Sequence, residues 1–141
     1  MKTRIRNIIL VLLCIIGFAC FLFITPRGIV KNVEVIEVSS ELYTEEEIQK
    51  AIKVIKEHFK KEMRGCELLK LQYIGDTQNE SVVFQYLDKQ YGVSEHIVFE
   101  IVFKVGNRDR PAFRRNSIHE VVYILGKDQR ENWKYLDSGR P

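Results

Sequence analysis

The chain has 141 residues, of which 45% are hydrophobic and 29% are charged. This composition excludes a disordered or collagen-like chain and fits one packed domain with a short appendage. The formal net charge is +3, but Lys2, Arg4, Arg6 and Arg27 all flank one apolar segment, so the rest of the chain is close to neutral and gives no reason to expect a nucleic-acid partner.

An uncharged apolar run extends from residue 8 to residue 25. As a helix with a rise of about 1.5 Å per residue it would be roughly 27 Å long, close to the thickness of a bilayer core. It has no polar face, and the basic residues before it are expected to stay in the cytoplasm. The sequence therefore predicts a single-pass signal-anchor at the cell membrane, with residues 1–28 forming a cytoplasmic tip and a transmembrane helix, and with the following domain outside the cell.

Two alternatives stay open for this apolar run. A cleaved secretory signal peptide usually has a shorter apolar core and a cleavage site flanked by small residues, which residues 25–28 do not clearly supply. A lipoprotein signal would make Cys20 the lipidated residue, although residues 17–19 match the usual preceding box poorly and the residues after Cys20 are apolar. In the lipoprotein case the domain would also stay at the membrane.

The next segment alternates apolar and charged side chains from residue 29 to residue 38. Such alternation is typical of a strand or of an extended stalk. Residues 29–43 are therefore interpreted as a connection between the apolar run and the domain of residues 44–141.

A helix is the clearest local prediction. Thr44 and Glu47 have the spacing of a capping box, in which each residue bonds the backbone of the other. Gly65 supplies a stop, so the pattern predicts a helix over residues 45–64. Apolar residues recur along it at spacings of three and four and form one stripe. The stripe consists of Ile48, Ile52, Ile55, Phe59 and Met63.

Five β-rich runs make up the rest of the predicted domain, with Gly, Asp, Asn and Ser between them. Neighbouring runs with short connections favour an antiparallel meander. The predicted fold class is α+β: an N-terminal transmembrane helix, then one amphipathic helix packed on a curved, mainly antiparallel sheet of four to five strands. The runs are residues 67–74, 81–87, 97–105, 117–125 and 133–136.

Four short motifs occur in an order that resembles a known family. They are residues 44–48 (TEEEI), 65–68 (GCEL), 91–98 (YGVSEHIV) and 133–139 (WKYLDSG). The set resembles an uncharacterised family of small secreted or membrane-anchored domains of Gram-positive bacteria. The resemblance implies a cystatin-like or nuclear-transport-factor-two-like fold, with a helix cradled by a bent antiparallel sheet. The family has no agreed activity, so the resemblance implies fold and location rather than function.

The loop after residue 105 is basic, where the relatives are usually rich in Gly, Ser and Asn. Because the planar guanidinium group of Arg matches phosphate and carboxylate, this loop is a candidate contact for an anionic envelope component or a protein partner. The alternative is a solvated hairpin loop whose arginines pair with surface acids. The candidate residues are Lys104, Arg108, Arg110, Arg114 and Arg115.

The cysteines and histidines indicate no catalytic or metal site. Cys66 with His58 or His119 has the residue types of a nucleophile and base, but the spacing does not bring them together, so a structural cysteine is favoured. His58, His96 and His119 form no metal-binding pair, and no metal or cofactor is expected.

Some relatives of this fold type place an acid/base pair in a pocket between helix and sheet. Glu100 shares a strand face with Val98 and Val102 and is the best candidate for a partly buried acid, but such a site needs a second converging group. The other carboxylates near strand positions are Asp88, Glu120 and Asp137.

The sequence therefore predicts a non-catalytic, membrane-anchored domain outside the cell, acting as a binding or accessory module at the envelope. The alternative is a small pocket enzyme, of hydrolase or isomerase type, on a cone-shaped α+β fold. The ligand and the oligomeric state do not follow from the sequence.

Overall fold

The computed structural model describes residues 2–24, 26–81, 84, 86–107 and 112–139, and within the first helix it describes the side chains of residues 6–18. Four helices and five strands lie in this part of the chain, and together they form an α+β fold. The helices are α1 Lys2–Ile24, α2 Glu45–Glu62, α3 Asp76–Asn79 and α4 Leu87–Tyr91. The strands are β1 Glu34–Ile36, β2 Cys66–Tyr73, β3 His96–Val105, β4 Ile118–Lys127 and β5 Trp133–Gly139.

The predicted membrane span is the main correction to the sequence analysis. Among the described residues, no helix is both long enough and apolar enough to cross a membrane. A span needs roughly 20 apolar residues, and in α1 the described side chains are those of residues 6–18. This finding contradicts the predicted transmembrane signal-anchor, the single-pass location at the cell membrane with a domain outside, and the membrane as a partner through an N-terminal helix.

The start of α2 follows the local pattern in the sequence. The hydroxyl of Thr44 accepts from the Glu47 backbone N–H, and the Glu47 carboxylate accepts from the Thr44 N–H at 3.0 Å, which is a complete capping box. The helix ends at Glu62, two residues before the predicted end, and Gly65 then adopts a positive φ of 74°. The predicted helix is thus confirmed, and its buried residues face the sheet. They are Ala51, Ile52, Ile55 and Phe59.

The sheet is mixed, with the strands in the order β1-β2-β3-β4-β5. The three pairings from β2 to β5 are antiparallel, which agrees with a mainly antiparallel sheet, but β2 pairs with β3 and not with the predicted run over residues 81–87. β1 pairs with β2 in parallel and lies at the sheet edge. The segment predicted as a connecting strand or stalk therefore contributes an edge strand, and an isolated bridge between Ile29 and Glu67 precedes it.

The predicted strand over residues 81–87 is wrong. In the described part of this stretch, Phe84 and Leu87 donate backbone hydrogen bonds three residues back, as in turns, and α4 begins at Leu87. Phe84 and Leu87 pack against Val98 and its neighbours on the sheet face opposite α2. Burial of these side chains across the sheet overrides the β-propensity of the run.

The larger core lies between α2 and the sheet, and residues 26–29 close it at the end of the helix. The Gly28 N–H donates to the Lys60 carbonyl at 3.0 Å, and the Gly65 N–H donates to the Pro26 carbonyl at 3.0 Å. A Cβ on residue 28 would lie 2.5 Å from the Phe59 carbonyl oxygen and 2.9 Å from that of Met63. Only glycine permits this close approach of two backbone segments.

We therefore expect Gly28→Ala to lower the free energy of unfolding by about 2–3 kcal/mol, because the clash is with backbone atoms that cannot rotate away. Urea unfolding of the full chain measures the change. Gly139→Ala is the matched control, since its new Cβ would meet only a Val122 methyl at 3.8 Å. Equal stabilities of the two variants would contradict this account of the junction.

Candidate functional site

A cavity of about 380 Å³ opens between residues 35–40 and the first half of α2. We call it the apolar pocket. Its floor contains the buried aromatic rings of Tyr43, Tyr73 and Phe99. Its walls come from the edge segment on one side and from the helix on the other, and they combine aliphatic with polar side chains. The aliphatic wall residues are Val35, Ile36, Val38, Ile48 and Ile52, and the polar ones are Glu37, Ser39, Ser40, Glu45 and Gln49.

One carboxylate holds the wall of the pocket in place. Asp76 accepts from the Ser40 hydroxyl at 2.5 Å, from the Glu41 N–H at 2.6 Å and from the Tyr73 hydroxyl at 2.9 Å. The hydrogen bond from Ser40 is the main reason why the pKa of Asp76 lies below its usual value. The ionised side chain thus ties residues 40–41 to the end of β2.

The two tyrosine hydroxyls of the floor are both occupied. The Tyr43 hydroxyl donates to the His96 carbonyl at 2.5 Å and accepts from the Asn79 side chain at 3.0 Å. Burial raises the pKa of Tyr43 and of Tyr73 well above the ordinary tyrosine value, and for Tyr73 the hydrogen bond to Asp76 raises it further. Both groups are therefore neutral phenols, and neither hydroxyl is a free acid or base.

Asn79 is the centre of the polar network beneath the floor. It is 2% exposed, and its amide nitrogen also lies 3.3 Å from the His96 carbonyl. Its side-chain oxygen accepts from the Val98 N–H at 2.9 Å. The side chain therefore links α3 to the floor of the pocket and to the start of β3.

His96 forms a carboxylate–imidazole pair in the same network. Its Nδ1 lies 2.7 Å from Asp88 Oδ1, and its Nε2 lies 2.9 Å from the Asn79 carbonyl oxygen. The imidazole is 8% exposed, and neither residue lines the apolar pocket. Both ring nitrogens face oxygen atoms, so the pair fixes the strand and leaves no nitrogen available to a substrate.

The buried ammonium group of Lys127 attaches the start of α2 to the sheet. Lys127 Nζ lies 2.7 Å from Glu47 and 2.6 Å from Glu95, and it sits 4.8 Å from the centre of the Trp133 ring. Burial lowers the pKa of Lys127, but the bonds to the two carboxylates outweigh burial and raise it. The hydrogen bond from Lys127 lowers the pKa of Glu47 to about 2.

Ser117 and His119 contain the atoms of a serine–histidine pair. His119 Nε2 lies 2.6 Å from Ser117 Oγ, but the Ser117 hydroxyl donates to the Arg114 carbonyl. Because the serine proton is directed to that carbonyl, Nε2–H is the donor to the serine oxygen and does not act as its base. The His119 ring also packs edge-on against Phe113. We interpret this contact as part of the loop structure.

The other predicted candidates do not converge on the pocket. Lys104 is exposed on β3, and Arg114 and Arg115 are exposed in the following loop. Arg108 and Arg110, like the Cys20 side chain, lie outside the described residues, so the predicted anion contact of this loop stays a prediction.

Cys66 and His58 both lie in structural positions. Cys66 is 1% exposed in the core, as the structural interpretation predicts. The His58 ring stacks on Tyr135 with 3.6 Å between ring centres, and burial lowers the pKa of His58. Within the described part of the chain, no group of three His, Cys, Asp or Glu residues could hold a metal ion.

The carboxylates of the sheet are also separate from the pocket. Glu100 lies 3.9 Å from Lys70 across the β2–β3 pair, and Asp137 accepts from the Tyr91 hydroxyl at 2.8 Å. The carboxylates that line the pocket are Glu37 and Glu45, both exposed. Glu37 and the edge segment were not recognised as part of a site, because residues 29–43 were interpreted as a connecting strand or stalk. Val35 and Val38 were the available signal, since a solvated stalk does not need apolar residues.

Comparison with known proteins assigns no family to this chain. The resemblance to small secreted domains of Gram-positive bacteria stays a prediction. The chain matches no family model, no curated protein and no solved structure.

Proposed function

We propose that the α+β domain is a non-catalytic binding module whose apolar pocket takes an apolar ligand. The observation that carries this proposal is a cavity of about 380 Å³ with aromatic rings at its floor and with aliphatic and polar side chains in its walls. Ligand sites are typically concave, mostly apolar and roughly 300–1,000 Å³ in volume. The rings of Tyr43, Tyr73 and Phe99 are packed into the core behind the cavity, so its floor is rigid and needs little reordering when a ligand binds.

The state of the polar lining groups favours binding over catalysis: the buried hydroxyls are engaged within the protein, and the two lining carboxylates, Glu37 and Glu45, are both exposed to solvent. A general acid or base must reach the substrate with an available proton or lone pair. The hydroxyls of Tyr43 and Tyr73 are engaged beneath the floor, and the Asp88–His96 pair lies outside the lining. The alternative of a small pocket enzyme stays a prediction.

Part of the pocket is also held in place by hydrogen bonds within the protein before a ligand binds. Asp76 fixes the wall at Ser40 and Glu41, and Asn79 fixes the floor at Tyr43. Because both contacts are made within the protein, the ligand does not need to order this side of the site.

A blocking substitution at Gln49 tests the proposal. Gln49 is an exposed residue of α2 that lines the pocket, so a tryptophan there fills the mouth without disturbing the core. Binding of the neutral fluorophore N-phenylnaphthylamine to the full chain gives the affinity. We expect Gln49→Trp to weaken it about tenfold, which corresponds to roughly 1.4 kcal/mol of lost binding energy.

Lys61→Trp is the matched control, because it adds the same ring at an exposed position of α2 outside the pocket. Dye that binds to the exposed apolar side chains of α1 contributes equally in all three proteins and cancels in the comparison. Unchanged affinity in Gln49→Trp would overturn the proposal.

A further inference from the structure

A second depression continues the apolar pocket along α2. Its volume is about 350 Å³, and it lies between Val30 and the helix. Gln49 and Ile52 line both cavities, so the two are neighbours along the helix. We call the second cavity the lysine groove.

Three lysines line this groove: Lys53, Lys56 and Lys60. Spacings of three and four place them on one face of α2. Among the described residues none of the three forms an ion pair, whereas Lys50 pairs with Glu46 and Lys61 pairs with Glu62 on the same helix. Like charges at these spacings slightly destabilise a helix. The three ammonium groups are therefore not held in ion pairs by the described residues.

The charges along the groove are polarised. Glu57 is the only acid among the residues that line the lysine groove, so this end is positive. Glu37 and Glu45 line the apolar pocket, so that end is negative. The apolar floor lies between the two ends. A ligand with one anionic end is therefore attracted to the lysine groove and repelled from the opposite rim.

We infer that the ligand is a single-chain amphiphile with an anionic headgroup. Its apolar chain lies over Tyr43, Tyr73 and Phe99, and its headgroup contacts Lys53 and Lys56. The helix rises about 12 Å between residues 48 and 56, so a medium-length alkyl chain reaches from the floor to the lysines. This inference rests on the proposed binding function and specifies the class of ligand.

Competition against bound N-phenylnaphthylamine on the full chain tests the inference. The competitors are decanoate, decyl phosphate, decanol and decyltrimethylammonium, each below its micellar concentration. We expect both anions to bind about fivefold more tightly than decanol, since two or three exposed charge contacts each contribute modestly. The cation is expected to bind more weakly than decanol. Added salt is expected to reduce the preference for the anions. Whichever of decanoate and decyl phosphate binds more tightly identifies the preferred headgroup.

The matched variants remove two charges each from the same helix. Lys53→Gln/Lys56→Gln is expected to abolish the preference for the anions while leaving the affinity for decanol unchanged. Lys50→Gln/Lys61→Gln is expected to retain the preference, because neither lysine lines the groove.

Two failures can be told apart. Equal binding of decanoate and decanol, or loss of the preference in both double variants, overturns the anionic headgroup but leaves the apolar pocket in place. Unchanged dye affinity in Gln49→Trp overturns the proposal that the apolar pocket binds a ligand, and the inference about the headgroup fails with it.

Discussion

Replacing Asn79 with alanine is expected to lower the free energy of unfolding by about 2–3 kcal/mol, because it removes three buried hydrogen bonds and leaves the Val98 N–H without its acceptor. The Val98 N–H loses its acceptor, and the Tyr43 hydroxyl loses a donor. The site is 2% exposed, so water does not replace these bonds without opening the structure. Because Tyr43 forms part of the pocket floor, the variant is also expected to bind N-phenylnaphthylamine more weakly.

Urea unfolding and dye binding measure the two effects. Asn79→Asp is expected to destabilise the chain as well, since a carboxylate cannot donate to the Tyr43 hydroxyl or the His96 carbonyl. Asn107→Ala is the control, because Asn107 is exposed, and a change within about 0.5 kcal/mol is expected there. A similarly small change in Asn79→Ala would contradict the central role of this side chain.

Replacing Lys127 with methionine is expected to lower the free energy of unfolding by about 2–3 kcal/mol at neutral pH. Methionine keeps the apolar stem beside Trp133 but removes the ammonium group between Glu47 and Glu95. Two partly buried carboxylates then face each other without their shared cation. The start of α2 is loosened from β4, while the capping box itself remains.

The same variant is expected to change how stability depends on pH. The pKa of Glu47 is 4.5 in its ordinary state and about 2 in the folded chain. A lowered folded pKa means that the contribution of Glu47 is fully present above pH 4.5 and is lost as the pH falls towards 2. Without Lys127 that loss becomes smaller, so the stability curve over this interval is expected to flatten.

Unfolding in urea across this pH range provides the measurement. Lys50→Met is the matched control, since it breaks an exposed pair with Glu46 on the same helix. We expect the control to leave both the stability and its pH dependence nearly unchanged. If the free energy of unfolding fell equally steeply with decreasing pH in Lys127→Met and in the unmodified chain, Lys127 would not be the group that lowers the pKa of Glu47.

Elements with strong local signals were predictable from the sequence. α2 follows from Thr44, Glu47 and a regular apolar stripe, all within one short window. β3 follows from its alternating apolar residues, and the antiparallel pairing of β4 with β5 follows from the short connection between them. In each case the sequence pattern that predicts the element lies within the residues of that element.

The site depends on contacts between distant residues, and that is why the sequence did not reveal it. Asp76 bonds Ser40, which lies 36 residues earlier, and Lys127 bonds Glu47 across 80 residues. No spacing rule connects such pairs. The place of β1 in the sheet could not be predicted for the same reason, because its three residues pair in parallel with a strand that follows α2. The run over residues 81–87 has β-propensity, but packing of Phe84 on the sheet determines its form.

The most direct test of the apolar pocket is a methyl NMR titration of the full chain with decanol. The methyl signals of Val35, Val38 and Ile48 are expected to shift together along one saturating curve, because these side chains line the pocket. Val98 and Val122 lie in the smaller core on the opposite sheet face and are expected to stay unchanged. Saturating shifts at Val98 and Val122, with none at the pocket residues, would contradict the account.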